Sequence, residues 1–383
     1  MNALKTNINR LNNTKKKAIY KKHFAFFNYN VTIASDSKKI MRVFEEMYSK
    51  FLKHDNSENG LDCYIIKGQT HKNNSSVILN DELFPIADSD SLGFYSEVLI
   101  FRALYKYIDD YFILHAGVIS RDGKGFIITG PSSFGKTTLV MELVSRGYKF
   151  LSDEYCLIRL NDYIVEPFPR SVGVKKGSPF YSALDRKHCF YHKNDKKLSV
   201  GCDNIYPDCI GQPCKPYCLI ILKSSLNNRS LKNKQIFILA LVKDDRELID
   251  KICDDKSIKL LDKSLEDNFI FYRFSLDPDS STAKTIQDLC VGHEDNILSQ
   301  SVILNDRPDF NSSPNIKAMS KFDASLEVLK NLLNRSQEGK LYKKFKKQNS
   351  LILHSMIGFI NNLDCYELEP GTLKETADII DSL

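Results

Sequence analysis

Gly130-Pro131-Ser132-Ser133-Phe134-Gly135-Lys136-Thr137 matches G-x-x-x-x-G-K-[ST], the Walker A pattern of a phosphate-binding loop. Glycines let backbone N–H groups turn inward onto phosphate oxygens with no Cβ in the way. A helix starting at Lys136 aims its positive end at the same anions. Lys136 is placed to neutralise the β- and γ-phosphates, and Thr137 to offer its hydroxyl to Mg²⁺. Thr138 completes the set of candidate nucleotide-contacting residues, Gly130 to Thr138. So short a pattern can arise by chance, and the flanks decide. Phe126-Ile127-Ile128 reads as an apolar strand running in, and Leu139, Val140, Leu143 and Val144 as one face of a helix running out. The expectation is an α/β nucleotide-binding unit.

Further out, the helix spans Lys136–Ser145 and is closed by Gly147. Upstream, Phe112–Ile119 and Gly125–Thr129 read as two strands joined by a turn at Arg121-Asp122-Gly123-Lys124. Downstream, Tyr148–Ser152 is a further strand. A right-handed crossover makes it parallel to the strand entering the loop, with both C-terminal ends at one edge. Asp153 therefore emerges beside the phosphate loop, placed to hold Mg²⁺ or to take a proton from an acceptor hydroxyl. Glu154 doubles the charge there, which suits a metal. His115 sits on the strand before the Walker strand; spacing alone favours a satisfied core histidine. Arg170, in Pro167-Phe168-Pro169-Arg170, is placed to neutralise a transferring phosphoryl group. Lys175 and Lys176 are also within range, though a solvated surface is the simpler reading of each.

The 383-residue chain is 42% hydrophobic and 27% charged, enough apolar content for a sizeable core. Its length suggests two domains, or one large domain with appendages. Lys+Arg 54 against Asp+Glu 48 leaves a net charge of +6, too mild to imply nucleic acid. No apolar run approaches the ~20 residues of a membrane span, and the first residues carry no secretory h-region. Three segments are expected: a basic flexible tail over 1–22, a small N-terminal α/β lobe over 23–110, and a nucleotide-binding domain over 111–383. Thr372 with Glu375 reads as a capping box for a last helix bearing Leu373, Ala377 and Ile380.

Ten cysteines are too sparse for a disulfide scaffold. Cys202, Cys209, Cys214 and Cys218 lie close together, with His188, Cys189 and His192 just upstream. Only Cys214-x-x-x-Cys218 has zinc-knuckle spacing, so ordinary thiols are expected before a structural zinc. The basic stretches at Lys15–Lys22 and Lys340–Lys347 read as solvated faces.

Taken together, Leu114-His115-Ala116-Gly117-Val118, the loop Gly130–Thr137, Arg146-Gly147-Tyr148 and Leu151-Ser152-Asp153-Glu154 resemble the catalytic core of HPr kinase/phosphorylase, and more closely the HPr-kinase-like proteins. The segment Tyr366–Ala377 resembles that family's closing segment. The resemblance implies a core like that of phosphoenolpyruvate carboxykinases, with a mixed sheet and a short Walker unit. It also implies ATP and Mg²⁺ as cofactors, and phosphoryl transfer to a serine hydroxyl. Asp153 is then the general base, with Glu154 assisting at the metal and His115 and Arg170 in the catalytic set. Ser133 stands where the family has glycine, Thr137-Thr138 replaces its Ser-Glu, and Glu154 replaces its second Asp. The family's C-terminal glycine- and arginine-containing signature is not found, so neither HPr as acceptor nor a phosphorylase activity is implied. The expectation is a cytoplasmic kinase acting on a hydroxyl-bearing protein, peptide or small molecule, without nucleic acid or membrane. Family members often form oligomers. The alternative is a nucleotide-binding regulatory or maturation protein that transfers no phosphate.

Overall fold

The computed structural model of the chain describes residues 11–53, 60–67, 75–86, 92–192, 197–223, 235–266, 269–276, 280–290, 293, 296–303, 308–336 and 339–383. The protein is mixed α/β, with mixed sheets. Its centre is an eight-stranded sheet, of which six strands matter to the site: β1 (Tyr111–Arg121), β2 (Lys124–Thr129), β3 (Lys149–Ser152), β4 (Tyr155–Arg159), β5 (Lys215–Leu222) and β6 (Asp364–Glu369). The hairpin β1–β2 turns on Asp122 (φ 52°) and Gly123 (φ 75°), the two left-handed positions of a tight primed turn. β2 runs parallel to β5, and β5 parallel to β6.

The strand that leads to Asp153 does run in the same direction as the Walker strand, but the two are not neighbours. Both pair antiparallel with β1, which lies between them. Residues alternate across the sheet. Phe126 and Ile128 face a layer formed by helix α1 (Lys136–Ser145) and helix α2 (Leu373–Asp381). Ile127, Leu219 and Ile221 face helices Lys321–Lys330 and Asn349–Ile360. Period-2 alternation of buried residues thus builds three layers. Helix α1 ends as expected: Gly147 (φ 98°) donates to Val144 O at 3.0 Å and Tyr148 N to Leu143 O at 3.2 Å, a Schellman closure.

Three more sheets are present among the described residues, a three-stranded one (Val172–Lys175, Lys197–Val200 and Phe190–His192) and two larger ones. A six-stranded sheet between Tyr20 and Ile86, with helices Lys38–Met47 and Leu92–Tyr105, packs an aromatic-rich core around Phe24, Phe26, Tyr48 and Phe101. Its first strand, Tyr20–Phe26, begins inside the stretch expected to be tail, and Lys15 pairs with Asp81. Residues Tyr20–Lys22 are exposed strand positions, so their lysines give the sequence the look of a solvated tail. The other sheet lies between β5 and β6. Strands Gln235–Leu241, Ile258–Glu266, Phe269–Leu276 and Ile297–Ile303, with helices Arg246–Cys253 and Ser280–Leu289, form a βαββαβ unit. Its strand order, second-third-first-fourth and antiparallel throughout, is that of the split βαβ motif.

The capping box at Thr372 does not form. Thr372 Oγ1 donates to the Glu375 carboxylate at 3.0 Å and makes no side-chain cap bond, while Thr376 Oγ1 accepts from Gly371 N at 3.1 Å. The reciprocal bond is pre-empted: Thr372 N donates to Ser312 O at 2.8 Å and is not left for the Glu375 carboxylate.

Candidate active site

The loop that carries the Walker A pattern, Gly130 to Thr137, follows β2 and is built on left-handed backbone at Ser133 (φ 68°) and Gly135 (φ 85°). Gly130 must be glycine on steric grounds, because a Cβ there would meet Leu222 O at 2.8 Å. Ser133 adopts a conformation that glycine takes at no steric cost, so the departure from the family pattern alters the side chain while keeping a loop shape suited to glycine. Lys175 Nζ donates to Ser133 Oγ at 3.3 Å. Gly135 caps α1 without a side-chain bond, which leaves the first N–H groups of the helix available to an anion.

Lys136 is buried and folded back on the loop, donating to Gly130 O at 2.7 Å and Pro131 O at 3.0 Å. Burial lowers its pKa to about 8, against the pull of Glu154. Gly130 and Pro131 thus serve through their carbonyls. Phe134 is 2% exposed and belongs to the core under α1, so only its backbone is free to face a ligand. Ser132, Ser133, Gly135, Thr137 and Thr138 line the cleft above.

That cleft has a volume of ≈ 880 Å³ and gathers His115, Lys136, Thr137, Asp153, Glu154 and Arg170 on its walls. Thr137 Oγ1 donates to Asp153 Oδ2 at 3.4 Å. Asp153 is 3% exposed, and burial, supported by the neighbouring Glu154, lifts its pKa to about 6 despite Arg170. Its other oxygen, Oδ1, is buried with no hydrogen-bond partner. His115 Nε2 lies 3.3 Å from Glu154 Oε1, and Arg170 Nη2 lies 3.6 Å from Glu154 Oε2. Burial alone would raise Glu154; His115 and Arg170 outweigh it and hold the carboxyl well below the usual range.

Among the described residues no group of three or more His, Cys, Asp or Glu gathers as a metal cage. The Thr137 hydroxyl beside Asp153 Oδ2 is nevertheless a donor pair suited to Mg²⁺, which commonly takes one or two carboxylates and completes its shell with waters and phosphates; the other oxygen, Oδ1, lies 4.0 Å from Arg170 Nε. Glu154 is adjacent.

The cysteines of the sequence cluster do not converge. Cys202 and Cys209 are both buried in the core beside α1. Cys214 packs beside Gly125, and Cys218 lies on β5 next to the strand of Cys365. The side chains of His188 and His192 lie outside the described residues.

Several residues on the cleft wall, and one directly against Arg170, carry no sequence motif. Lys197, on a short strand paired with Val172–Lys175, acts electrostatically on both carboxylates. Phe310, Pro370, Gly371, Leu373 and Thr376 line the cleft from the far side of the sheet. Glu97, on helix Leu92–Tyr105, accepts from Arg170 Nη1 and from the Tyr48 hydroxyl. Sequence distance hides all of them; the clustering of chemistry-bearing residues in 114–176 is what made the others visible.

Fold and site together describe an α/β protein with a Walker A loop at the centre of a mixed sheet and an acidic pair beside it. In sequence the chain is similar to HPr kinase/phosphorylase of Clostridium botulinum, in the strains Eklund 17B (type B) and Alaska E43 (type E3). Each match is 30% identical over 122 residues, covering 27% of this chain and 40% of the relative. This chain thus spans about 40% of the length of the curated relatives it matches. This similarity is in keeping with the resemblance carried by the residues around the loop. No family model matches the chain. Among solved structures, the HPr(Ser) kinase/phosphatase of Coxiella burnetii aligns at 14% identity with a TM-score of 0.21, covering 47% of this chain and 95% of that one. No helix among the described residues is long and apolar enough to cross a membrane.

Proposed function

We propose that this protein is an ATP- and Mg²⁺-dependent phosphotransferase of HPr-kinase-like type. It passes the γ-phosphoryl group of ATP to a hydroxyl, with serine the expected acceptor, on a protein, peptide or small molecule. One observation carries the proposal: the cleft that holds the Walker lysine also holds the whole set His115, Asp153, Glu154 and Arg170. A protein that only bound nucleotide would need the loop and not this set. The similarity to the HPr kinase/phosphorylases of Clostridium botulinum supports the same reading.

In this proposal the loop amides and Lys136 hold the phosphates, and Thr137 with Asp153 and Glu154 would hold Mg²⁺. When bound, the ion draws charge from the β- and γ-phosphate oxygens. Asp153 takes the proton of the acceptor hydroxyl; the freed oxygen bonds to the γ-phosphorus as the bond to the β,γ-bridging oxygen breaks, and ADP leaves. A carboxyl lifted to about 6 is still ionised at neutral pH, yet is a stronger base than an ordinary aspartate. Arg170 balances the charge of the two carboxylates and the phosphoryl group, and His115 keeps Glu154 oriented. The reading includes a core like that of phosphoenolpyruvate carboxykinases over 111–383, a lobe over 23–110, and a cytoplasmic site of action.

The test is transfer from γ-labelled ATP, with Mg²⁺, into fractions of a host lysate, comparing the protein with its Lys136→Ala variant. Label entering a fraction only with the unsubstituted protein supports the kinase. ATP binding without transfer to any fraction overturns it in favour of a regulatory or maturation role.

A further inference from the structure

The sheet order gives the cleft two sides. β1 and β3 lie on one side of the Walker strand β2, and from them come His115, Asp153 and Glu154. On the other side lie β5, β6 and the edge strand Asn315–Ala318. Phe310 precedes that edge strand, and Pro370, Gly371 and Leu373 follow β6; all four line the cleft. The phosphate loop stands between an ionic side and a side whose wall is mainly apolar.

Phe310 is the part of the far side that points to a ligand. It is 43% exposed, and no other large exposed apolar side chain among the described residues lines this cleft. Its ring abuts the loop itself, Cε1 lying 3.3 Å from the place a Cβ on Gly135 would occupy. The ring is carried on a fixed turn. Ser312 N and Oγ donate to Asp309 O at 3.0 and 2.7 Å, Asn311 N donates to Asp309 Oδ1 at 3.0 Å, and Ser312 O accepts from Thr372 N at 2.8 Å. An apolar ring held open to water beside a phosphate site is preorganised for a flat, stackable partner.

We propose that Phe310 is the base platform of the nucleotide site, stacking on the purine of a bound nucleoside triphosphate. This rests on the nucleotide reading above and adds the orientation: the triphosphate crosses the loop with its γ-phosphoryl group at Asp153 and its base beyond Gly135. Stacking is tolerant of base identity because every base presents a π-face. ATP and GTP are therefore bound with similar affinity, and inorganic tripolyphosphate shares only the loop contacts.

Calorimetric titration of the full chain with Mg²⁺ and either ATP or tripolyphosphate separates the two ideas. Phe310→Ala is expected to weaken ATP about fivefold or more, in line with base–aromatic stacking, and to leave tripolyphosphate unchanged. Phe310→Trp keeps ATP affinity, while Phe310→Leu, which retains apolar bulk, does not. ATP binding within twofold of the original in Phe310→Ala overturns the platform, as does an equal loss for both ligands. If the unsubstituted protein binds neither ligand, the phosphate-loop reading fails and the platform with it. If it binds both and only the Phe310 variants behave unexpectedly, the platform alone fails.

Discussion

Arg170 and Glu97 form a buried ion pair that joins two parts of the molecule: Glu97 belongs to the helix beneath the N-terminal sheet, and the same guanidinium reaches Glu154 at 3.6 Å. Their side chains are 10% and 13% exposed, and Tyr48 also donates to Glu97. The neighbouring backbone is tied down as well, Ser171 N and Oγ donating to Met47 O at 3.0 Å and Glu46 O at 3.1 Å. The N-terminal sheet therefore helps set where a charge of the site can be.

Glu97→Ala should strip a buried guanidinium of its main partner. Loss of one member of such a pair costs about 3–5 kcal/mol, and the carboxylates still near Arg170 favour the lower end. Urea unfolding should show the loss, with Glu97→Gln in between. An unchanged midpoint in Glu97→Ala would show that the pair contributes nothing to stability.

Asp153 gives a pH dependence of definite sign. Its folded pKa of about 6 exceeds the ordinary 3.8, so between these values the folded protein holds more proton than the unfolded chain. Stability therefore falls as pH rises from about 4 to 6, and the penalty for a buried carboxylate is complete above that. At 1.36 kcal/mol per pH unit the penalty is about 3 kcal/mol. Asp153→Asn should be more stable than the original at pH 8, by up to that amount, with the gap closing toward pH 4. A constant gap between the two urea-unfolding profiles would contradict the assignment.

Lys136 should report its own environment on binding. Burial brings it to about 8, and arriving phosphates favour its charged form. Binding of ATP near pH 8.5 should take up a proton, whereas at pH 6.5 Lys136 contributes no uptake. Calorimetry in buffers of different ionisation enthalpy reads this directly, and the uptake should vanish in Lys136→Met.

Ser133→Gly should be tolerated and mildly stabilising. Relief of a left-handed backbone is worth roughly 1–2 kcal/mol, set against about 0.4–1 kcal/mol from the freer unfolded chain. Loss of the Lys175 contact trims the gain. A raised melting temperature with ATP affinity preserved is the expected result; a lowered one would mean the serine side chain matters more than the backbone.

The sequence was most informative where chemistry and local structure coincide. Between Leu114 and Arg170, one short crossover places His115, Lys136, Thr137, Asp153 and Glu154 near each other, so spacing along the chain reflects spacing in space. Glu97, Lys197 and Phe310 could not be read this way, because each comes from a separate element, Lys197 and Phe310 to the cleft wall and Glu97 to Arg170, and is an ordinary residue in its own stretch. The βαββαβ unit was equally hard to see. Strand Ile258–Glu266 carries charges among exposed leucines at Leu260, Leu261 and Leu265, which blurs alternation at a sheet edge. The expectation of a tail through Lys22 meets a strand at Tyr20–Lys22 for a similar cause, lysines on a strand turned to water.

The parallel pairing of β5 with β6 joins residues separated in sequence by the whole of 223–363. Helix α2, which follows β6, bonds to the end of the Walker helix through Asp378 and Asp381 to Arg146. During synthesis the ribosome makes the phosphate loop long before it makes either of these partners. A nascent chain halted anywhere in the intervening stretch carries the whole Walker motif but lacks one wall of its cleft. A nucleotide held at this loop would therefore meet the complete cleft only in a chain that has been translated past Thr376.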